Sequence, residues 1–199
     1  MTTSGNGKIQ TNRDNLVRLS VLGEVSQPRV RSASPYRISI HGEPLVLPAT
    51  GGIAYNIRVG HRVRDIVGDH VEPAVSMRNS DETANGGLNV FASVGNTDKV
   101  LTGDAKGSTG TVTGKHGGIE HVMVDFQPDT LDKMKPGDRI LVKSFGAGLR
   151  LPDFPDILPM NLDPDLLDKW ITETRDGKLV VPVTHTVPAG IMGSGLGRG

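Results

Sequence analysis

The chain has 199 residues, with 22 basic and 22 acidic side chains, 26 glycines and no cysteine. This length allows one or two domains, and the absence of cysteine excludes disulfides, thiolate metal sites and a cysteine nucleophile. The glycines have no three-residue period, which excludes collagen, and no apolar run reaches the roughly 18–20 residues that cross a bilayer, so we expect a cytoplasmic protein without a membrane partner.

Residues 1–98 are predicted to form a β domain behind a loose polar arm over 1–15. Apolar and polar residues alternate over 36–40 and again over 53–59, and this period of two is typical of half-buried strands. Residues 72–98 are polar, rich in asparagine and glycine, and only weakly periodic. A stretch of this length without periodicity predicts a functional loop near a ligand.

Residues 99–150 are predicted to form an SH3-like barrel, because glycine-bounded loops separate short valine-bearing runs and a Pro-Gly-Asp turn precedes a strand over 139–144. The segment 103–112 has the form G-x-x-K-G-x-x-G-x-V. It resembles a loop of small SH3-like barrels in some ribosomal and transcription proteins, in which the lysine often touches RNA phosphate. This resemblance makes Lys106 a candidate nucleic-acid contact, and a plain barrel loop is an equally good interpretation.

Residues 151–199 are predicted to contain one helix, a last strand and a glycine-rich tail. Asp163 is a good N-cap and Pro164 suits the first helical position, so the helix is expected over 163–173. The tail follows an apolar strand as a connection does, and we interpret it as leading to a further polypeptide after residue 199. The predicted fold class is therefore mainly β, with small barrels including the SH3-like one, and one short helix.

Two histidines stand on either side of a glycine turn. His116 and His121 could converge on one metal ion with Glu120 as a third ligand. Alternation along a strand sends Glu120 and His121 to opposite faces, so we expect no metal but a hydrogen-bonded pair of histidines near a pocket. His185 stands between two threonines beside the glycine-rich tail. It is a candidate general base, with a structural histidine as the alternative.

Short polar side chains are concentrated among the glycines of residues 81–96, where they include Glu82, Asn85 and Asn96. Carboxylates and amides on short stems could orient a polar small molecule. The same residue types are favoured in turns, because their side chains bond to nearby backbone. Both interpretations stay open.

The charge distribution disfavours a dedicated nucleic-acid binder. Arg29 and Arg31 have the spacing that places them on one face of a strand, where they could grip phosphate or only form a solvated face. The chain has no net charge and is 4% aromatic, whereas such binders usually need a basic excess and aromatic platforms. Nucleic acid is thus a possible but disfavoured partner.

Four glycine-patterned blocks point to one family. They are ETANGGLNVFASVGN, GDAKGSTGTVTGKHGGIEHVMVDF, NLDPDLLDKW and VPAGIMGSGLG. Together they resemble an uncharacterised family of bacterial and archaeal proteins, a domain of unknown function whose N-terminal region is described as similar to a single-stranded-DNA-binding domain. The resemblance covers most of residues 35–197 and implies members that continue past the last block. It implies no catalytic residues.

These observations lead to two functional hypotheses. The first is the N-terminal chain of a two-chain hydrolase for a small polar molecule, completed by a C-terminal chain of the same gene product. Autoproteolysis would expose a serine or threonine nucleophile on that second chain. The second is a single-stranded nucleic-acid-binding module that uses Lys106, Arg29 and Arg31. For the enzyme, the predicted catalytic residues are His185, His116 and Glu82, and the predicted substrate-binding residues are Asn85, Asn96, Lys115 and His121. We assign no cofactor and no metal, and we expect a homo-oligomer.

Overall fold

The computed structural model describes residues 9–29, 36–46, 50–61, 72–171 and 173–183. Its strands are β1 (Leu19–Val25), β2 (Tyr36–Ile38), β3 (Pro44–Val46), β4 (Ile53–Ala54), β5 (Ala74–Arg78), β6 (Thr97–Val100), β7 (Thr109–His116), β8 (His121–Asp125), β9 (Arg139–Ser144), β10 (Glu173–Arg175) and β11 (Lys178–Val180). Its α-helices are α1 (Glu82–Phe91), α2 (Pro128–Leu131) and α3 (Pro164–Trp170), and a 3₁₀ turn spans Arg13–Asn15. The predicted fold class, mainly β with a small barrel and little helix, is confirmed.

Six strands close into an antiparallel barrel. In order they are β1, β9, β6, β7, β8 and β5, and β5 pairs back with β1, where Met77 lies opposite Val25. The short strand β4 adds to β5, and β2 and β3 form a separate hairpin. Closure satisfies backbone groups that an open sheet would leave at its edges. The domain boundary predicted at residue 98 falls within β6. The strands before it, β1 and β5, and the strands after it, β7–β9, belong to the same barrel.

Aliphatic side chains fill the barrel. The buried core residues on its strands are Val25, Ala74, Val75, Met77, Val100, Val112, Val122, Val124, Ile140 and Val142. Leu88 of α1 is fully buried in the same core, beside Gly23, where a Cβ would lie 3.0 Å from the Leu88 Cδ2 atom. Burial of each such aliphatic side chain contributes about 1.5–3 kcal/mol. The core therefore joins α1 to the barrel as one unit.

The interpretation of 72–98 as a loop is wrong, because this stretch contains β5 and the ten-residue helix α1. Asp81 caps the helix, and its side chain accepts a hydrogen bond from the Ala84 N–H at 2.7 Å. Gly86 and Gly87 lower the helix propensity by about 1 kcal/mol each. Packing of Leu88 in the core offsets this cost, so tertiary structure decides the outcome.

A second apolar cluster lies around α3, with Leu149, Leu151 and Leu167 buried in it. The helix begins at the predicted proline, and the Asp163 side chain accepts a hydrogen bond from the Asp165 N–H at 2.7 Å. The β10–β11 hairpin follows. Within the described ranges, every helix is too short or too polar to cross a bilayer.

Candidate functional site

The site is a cluster of polar side chains around one buried carboxylate, Glu72. The Nδ1 atom of His116 lies 2.5 Å from Oε1 of Glu72, and the Nδ1 atom of His121 lies 2.9 Å from its Oε2. The same carboxylate accepts hydrogen bonds from the Ser76 hydroxyl and, at 2.9 Å, from the Gly51 N–H. A single carboxylate thus has four donors on it.

The β7–β8 hairpin brings the two histidines together. His116 ends β7, His121 begins β8, and they are directly opposite each other in the strand register, which puts both side chains on one face of the sheet. Glu120 closes the turn between them with a φ of 62°, and its N–H donates to the His116 carbonyl at 2.9 Å. The conformation of this turn fixes the spacing of the two imidazoles.

Strand β5 brings the carboxylate to the histidines. It pairs with β8, so Ser76 lies opposite Met123 on the neighbouring strand, and Glu72 comes just before β5. A second layer holds this part: the Ser26 hydroxyl donates to the Ser76 carbonyl at 3.2 Å and accepts from the Gly52 N–H at 3.4 Å. These hydrogen bonds hold the backbone next to the residues that bind the Glu72 carboxylate.

Glu72 is ionised across the physiological range. Burial by itself raises the pKa of Glu72, but hydrogen bonds from His121, Ser76 and His116 and the charge of His121 outweigh it and lower the pKa to about 2. An ionised carboxylate can only accept hydrogen bonds, so both Nδ1 atoms carry a proton and donate. Neutral imidazoles in this arrangement have their lone pair on Nε2.

The two histidines differ in their access to solvent. The side chain of His116 is 23% exposed, whereas that of His121 is 1% exposed. The Nε2 atom of His121 is buried without a hydrogen-bond partner among the described residues. His116 is therefore the histidine that a dissolved molecule can reach, and His121 forms the wall behind Glu72.

Lys115 stands next to His116 but on the other side of the sheet, opposite Val122 in the register. Its Nζ donates a hydrogen bond to Oδ1 of Asn161. Burial lowers the pKa of Lys115 to about 8. Strand alternation thus separates Lys115 from the Glu72 cluster, although Lys115 and the two histidines were predicted for one site.

The two predicted asparagines are bound to the protein itself. Asn85 accepts from the Asn79 N–H at 2.8 Å and donates to the Glu120 carbonyl at 3.1 Å, so it braces the turn between the histidines. The side chain of Asn96 accepts from the Ser93 N–H at 2.8 Å and donates to Asp163 Oδ2 at 2.7 Å. Asn85 therefore supports the turn between the histidines, whereas Asn96 bonds to the cap of α3.

The other predicted residues lie elsewhere. Glu82 is exposed in the first turn of α1, and the hydrogen bonds described for the Glu72 cluster do not include it. Lys106 and Arg29 are exposed on different loops. His185 and Arg31 lie outside the described residues.

Sequence reasoning missed Glu72, the centre of the cluster. It stands 44 residues before His116 and 49 before His121, so no local pattern links them. The available signal was a lone acid directly before an apolar run in the polar stretch 72–98. Only the pairing of β5 with β8 shows that this acid and the histidines meet.

The arrangement has the chemistry of a general acid and base. A carboxylate on Nδ1 orients an imidazole, selects its tautomer and stabilises the imidazolium that forms when Nε2 takes a proton. Within the described ranges, no group of three or more His, Asp or Glu side chains could hold a metal ion. Glu72 occupies the Nδ1 atoms of both histidines, which leaves the Nε2 atoms as the ring positions at which a proton could be exchanged.

Comparison with known proteins gives one family and one solved structure. The family model described as "Domain of unknown function (DUF4438), N-terminal" matches residues 36–168, which include the Glu72 cluster. The solved structure of a protein called TM1086 is similar, with 47% sequence identity and a TM-score of 0.88. The match covers 95% of this chain and 66% of that one, so this chain spans less than two thirds of that protein's length. No curated protein matches the chain.

Proposed function

We propose that this chain, which belongs to the DUF4438 N-terminal domain family, provides the acid–base part of a hydrolase site for a small polar molecule. The observation that carries the proposal is the buried carboxylate of Glu72 with the Nδ1 atoms of His116 and His121 both on it. Buried ionised groups with several donors are costly to assemble, and such clusters are concentrated at functional sites.

In this proposal His116 transfers the proton. Its imidazole takes a proton from a water molecule or hydroxyl that attacks the substrate, and it returns that proton to the leaving group. Glu72 holds the ring in one tautomer and stabilises the imidazolium. His121, buried on the far side of the carboxylate, fixes the direction in which Glu72 points.

The remaining parts of the site would come from a further polypeptide. The match covers only 66% of the similar solved protein. This supports a site to which further polypeptide contributes. We propose that a C-terminal chain of the same gene product supplies the nucleophile, after cleavage that exposes its serine or threonine. Mass spectrometry of the product of the full gene tests this: two masses that sum to the mass of the translated chain plus one water molecule support it, and one uncut mass contradicts it.

Activity measurements test the acid–base role. The full gene product is assayed with p-nitrophenyl esters and aminoacyl p-nitroanilides as small hydrolysable probes. Loss of a general base lowers kcat/KM by about 10²–10⁴-fold, so His116→Gln is expected to do this. Glu72→Gln is expected to lower kcat as well, because the amide can no longer stabilise an imidazolium.

The matched control is His41→Gln, which removes an exposed histidine in the turn between β2 and β3. It is expected to keep the wild-type kcat/KM. Circular dichroism shows whether each variant is folded. Hydrolysis by a folded His116→Gln protein at the wild-type rate would contradict the proposed role.

A further inference from the structure

A pocket lies between α3 and the segment that precedes it, and its lining does not include the residues of the Glu72 cluster. It has a volume of about 650 Å³, within the usual range of about 300–1,000 Å³ for small-molecule sites. Its walls are almost entirely apolar, and they include Leu151, Leu158, Met160, Leu166, Trp170 and Leu179. Three of these side chains are strongly exposed: Leu158 at 69%, Met160 at 57% and Trp170 at 44%. Exposed apolar side chains grouped around a cavity indicate a binding surface.

A cation lies one hydrogen bond away from a residue of the pocket wall. Asn161 lines it, and the side-chain oxygen of Asn161 accepts a hydrogen bond from Nζ of Lys115. Within the described ranges, Lys115 makes no ion pair with a carboxylate, whereas Arg58 pairs with Asp125 and Lys135 with Asp104. Burial lowers the pKa of Lys115 to about 8. The ammonium group is still mostly charged at neutral pH and partly desolvated, and no described carboxylate pairs with it.

We propose that this pocket binds a small carboxylate with an apolar tail. The tail lies against Leu158, Met160 and Trp170, and the carboxylate pairs with the ammonium of Lys115 beside Asn161. The inference does not depend on the proposed hydrolase function, because the hydrogen bonds described for Glu72 come from residues other than Lys115 and those of the pocket wall.

Charge complementarity selects this class of ligand. An uncharged apolar molecule fills the pocket but leaves the Lys115 ammonium unpaired, and a cationic one is repelled by it. A carboxylate compensates the buried charge and replaces solvent that Lys115 has lost. A single charged group on an apolar body is therefore the chemistry that matches both features.

The intrinsic fluorescence of the protein reports on this pocket directly, because Trp170 is its one tryptophan. We expect decanoate to change the emission of the wild-type chain in a saturable way. Decanol, which has the same tail without the charge, is expected to bind at least about tenfold more weakly, since a hydrogen-bonded ion pair contributes about that factor or more. This comparison requires no variant.

Two substitutions locate the site. Lys115→Met is expected to weaken decanoate binding about tenfold and to leave decanol binding unchanged. Leu158→Asp, at an exposed position of the wall, is expected to weaken both ligands. Lys106→Met removes an exposed lysine from the β6–β7 turn and serves as the matched control, with wild-type affinity expected. Circular dichroism establishes that each variant is folded.

Three results would overturn the proposal. One is the absence of a saturable fluorescence change with decanoate. Another is equal affinity of the wild type for decanoate and decanol, which would make the charge irrelevant. The third is self-association in sedimentation velocity that Leu158→Asp abolishes, with decanoate unable to dissociate it, because a second copy of the chain would then be the occupant.

Discussion

Replacing Asp98 by asparagine is expected to remove most of the change in stability between pH 4 and pH 8. Asp98 lies in β6 between Gly110 of β7 and Val142 of β9. It is fully buried, and neither of its carboxyl oxygens has a hydrogen-bond partner among the described residues. Burial raises the pKa of Asp98 to about 8; the approach of the Gly110 backbone N–H lowers it by less, and the charge of Asp125 raises it slightly, so the folded protein holds this group protonated at neutral pH.

The sign and size of the effect follow from proton linkage. The ordinary pKa of Asp98 is 3.8, so between pH 4 and pH 8 the unfolded chain has lost a proton that the folded chain keeps. Stability therefore falls as the pH rises through this window, by about 1.4 kcal/mol per pH unit, and reaches a plateau above pH 8. The total is about 6 kcal/mol, comparable with the whole stability of many domains.

Urea denaturation at a series of pH values measures this effect. The stability of the wild type minus that of Asp98→Asn is expected to fall steadily from pH 4 to pH 8, because the amide does not titrate. The variant is expected to be the more stable protein at pH 9, since a buried amide without partners costs only about 1–3 kcal/mol. Asp104→Asn removes an exposed carboxylate and is the control, with a pH dependence close to that of the wild type. A difference curve for Asp98→Asn that is flat over this window would refute the reasoning.

Three further predictions concern stability and are checked by thermal denaturation. Gly86→Ala is expected to stabilise the protein by about 1 kcal/mol, because α1 has open space at this position and alanine has the higher helix propensity. Gly110→Ala is expected to cost more than about 2 kcal/mol, since the new Cβ would lie 2.7 Å from the ring of Phe126. Asp163→Ala removes the cap of α3 and the partner of Asn96, and a loss of about 2 kcal/mol is expected; an unchanged melting temperature would contradict the bridging role of Asp163.

The local parts of the fold could be predicted from the sequence. The strand Arg139–Ser144 and the start of α3 at Pro164 agree with the structure, because alternation and helix caps depend on neighbouring residues. The helix α1 could not be predicted in the same way. Gly86 and Gly87 oppose it locally, and the burial of Leu88 that favours it depends on a barrel formed by distant strands.

The candidate site divides in the same manner. His116 and His121 belong to one hairpin, so the sequence alone predicted a hydrogen-bonded pair. What the sequence could not supply is the group between them. The carboxylate that binds both histidines belongs to Glu72, which directly precedes β5 and is distant in the sequence. Asn85, predicted to bind substrate, instead donates a hydrogen bond to the Glu120 carbonyl in the turn.

The closure of the barrel explains why the cluster exists. The β7–β8 hairpin alone would hold two histidines in water, where each imidazole is solvated and neither is oriented. Pairing of β5 with β8 places Glu72 against both rings and removes the carboxylate from solvent. The hydrogen bonds and the charge of His121 stabilise the ionised carboxylate by more than burial destabilises it. The pKa of Glu72 is therefore lowered to about 2. The same long-range pairing that completes the barrel therefore orients the histidines. Any substitution that breaks the pairing of β5 with β8 is expected to disorder the site before it unfolds the β7–β8 hairpin.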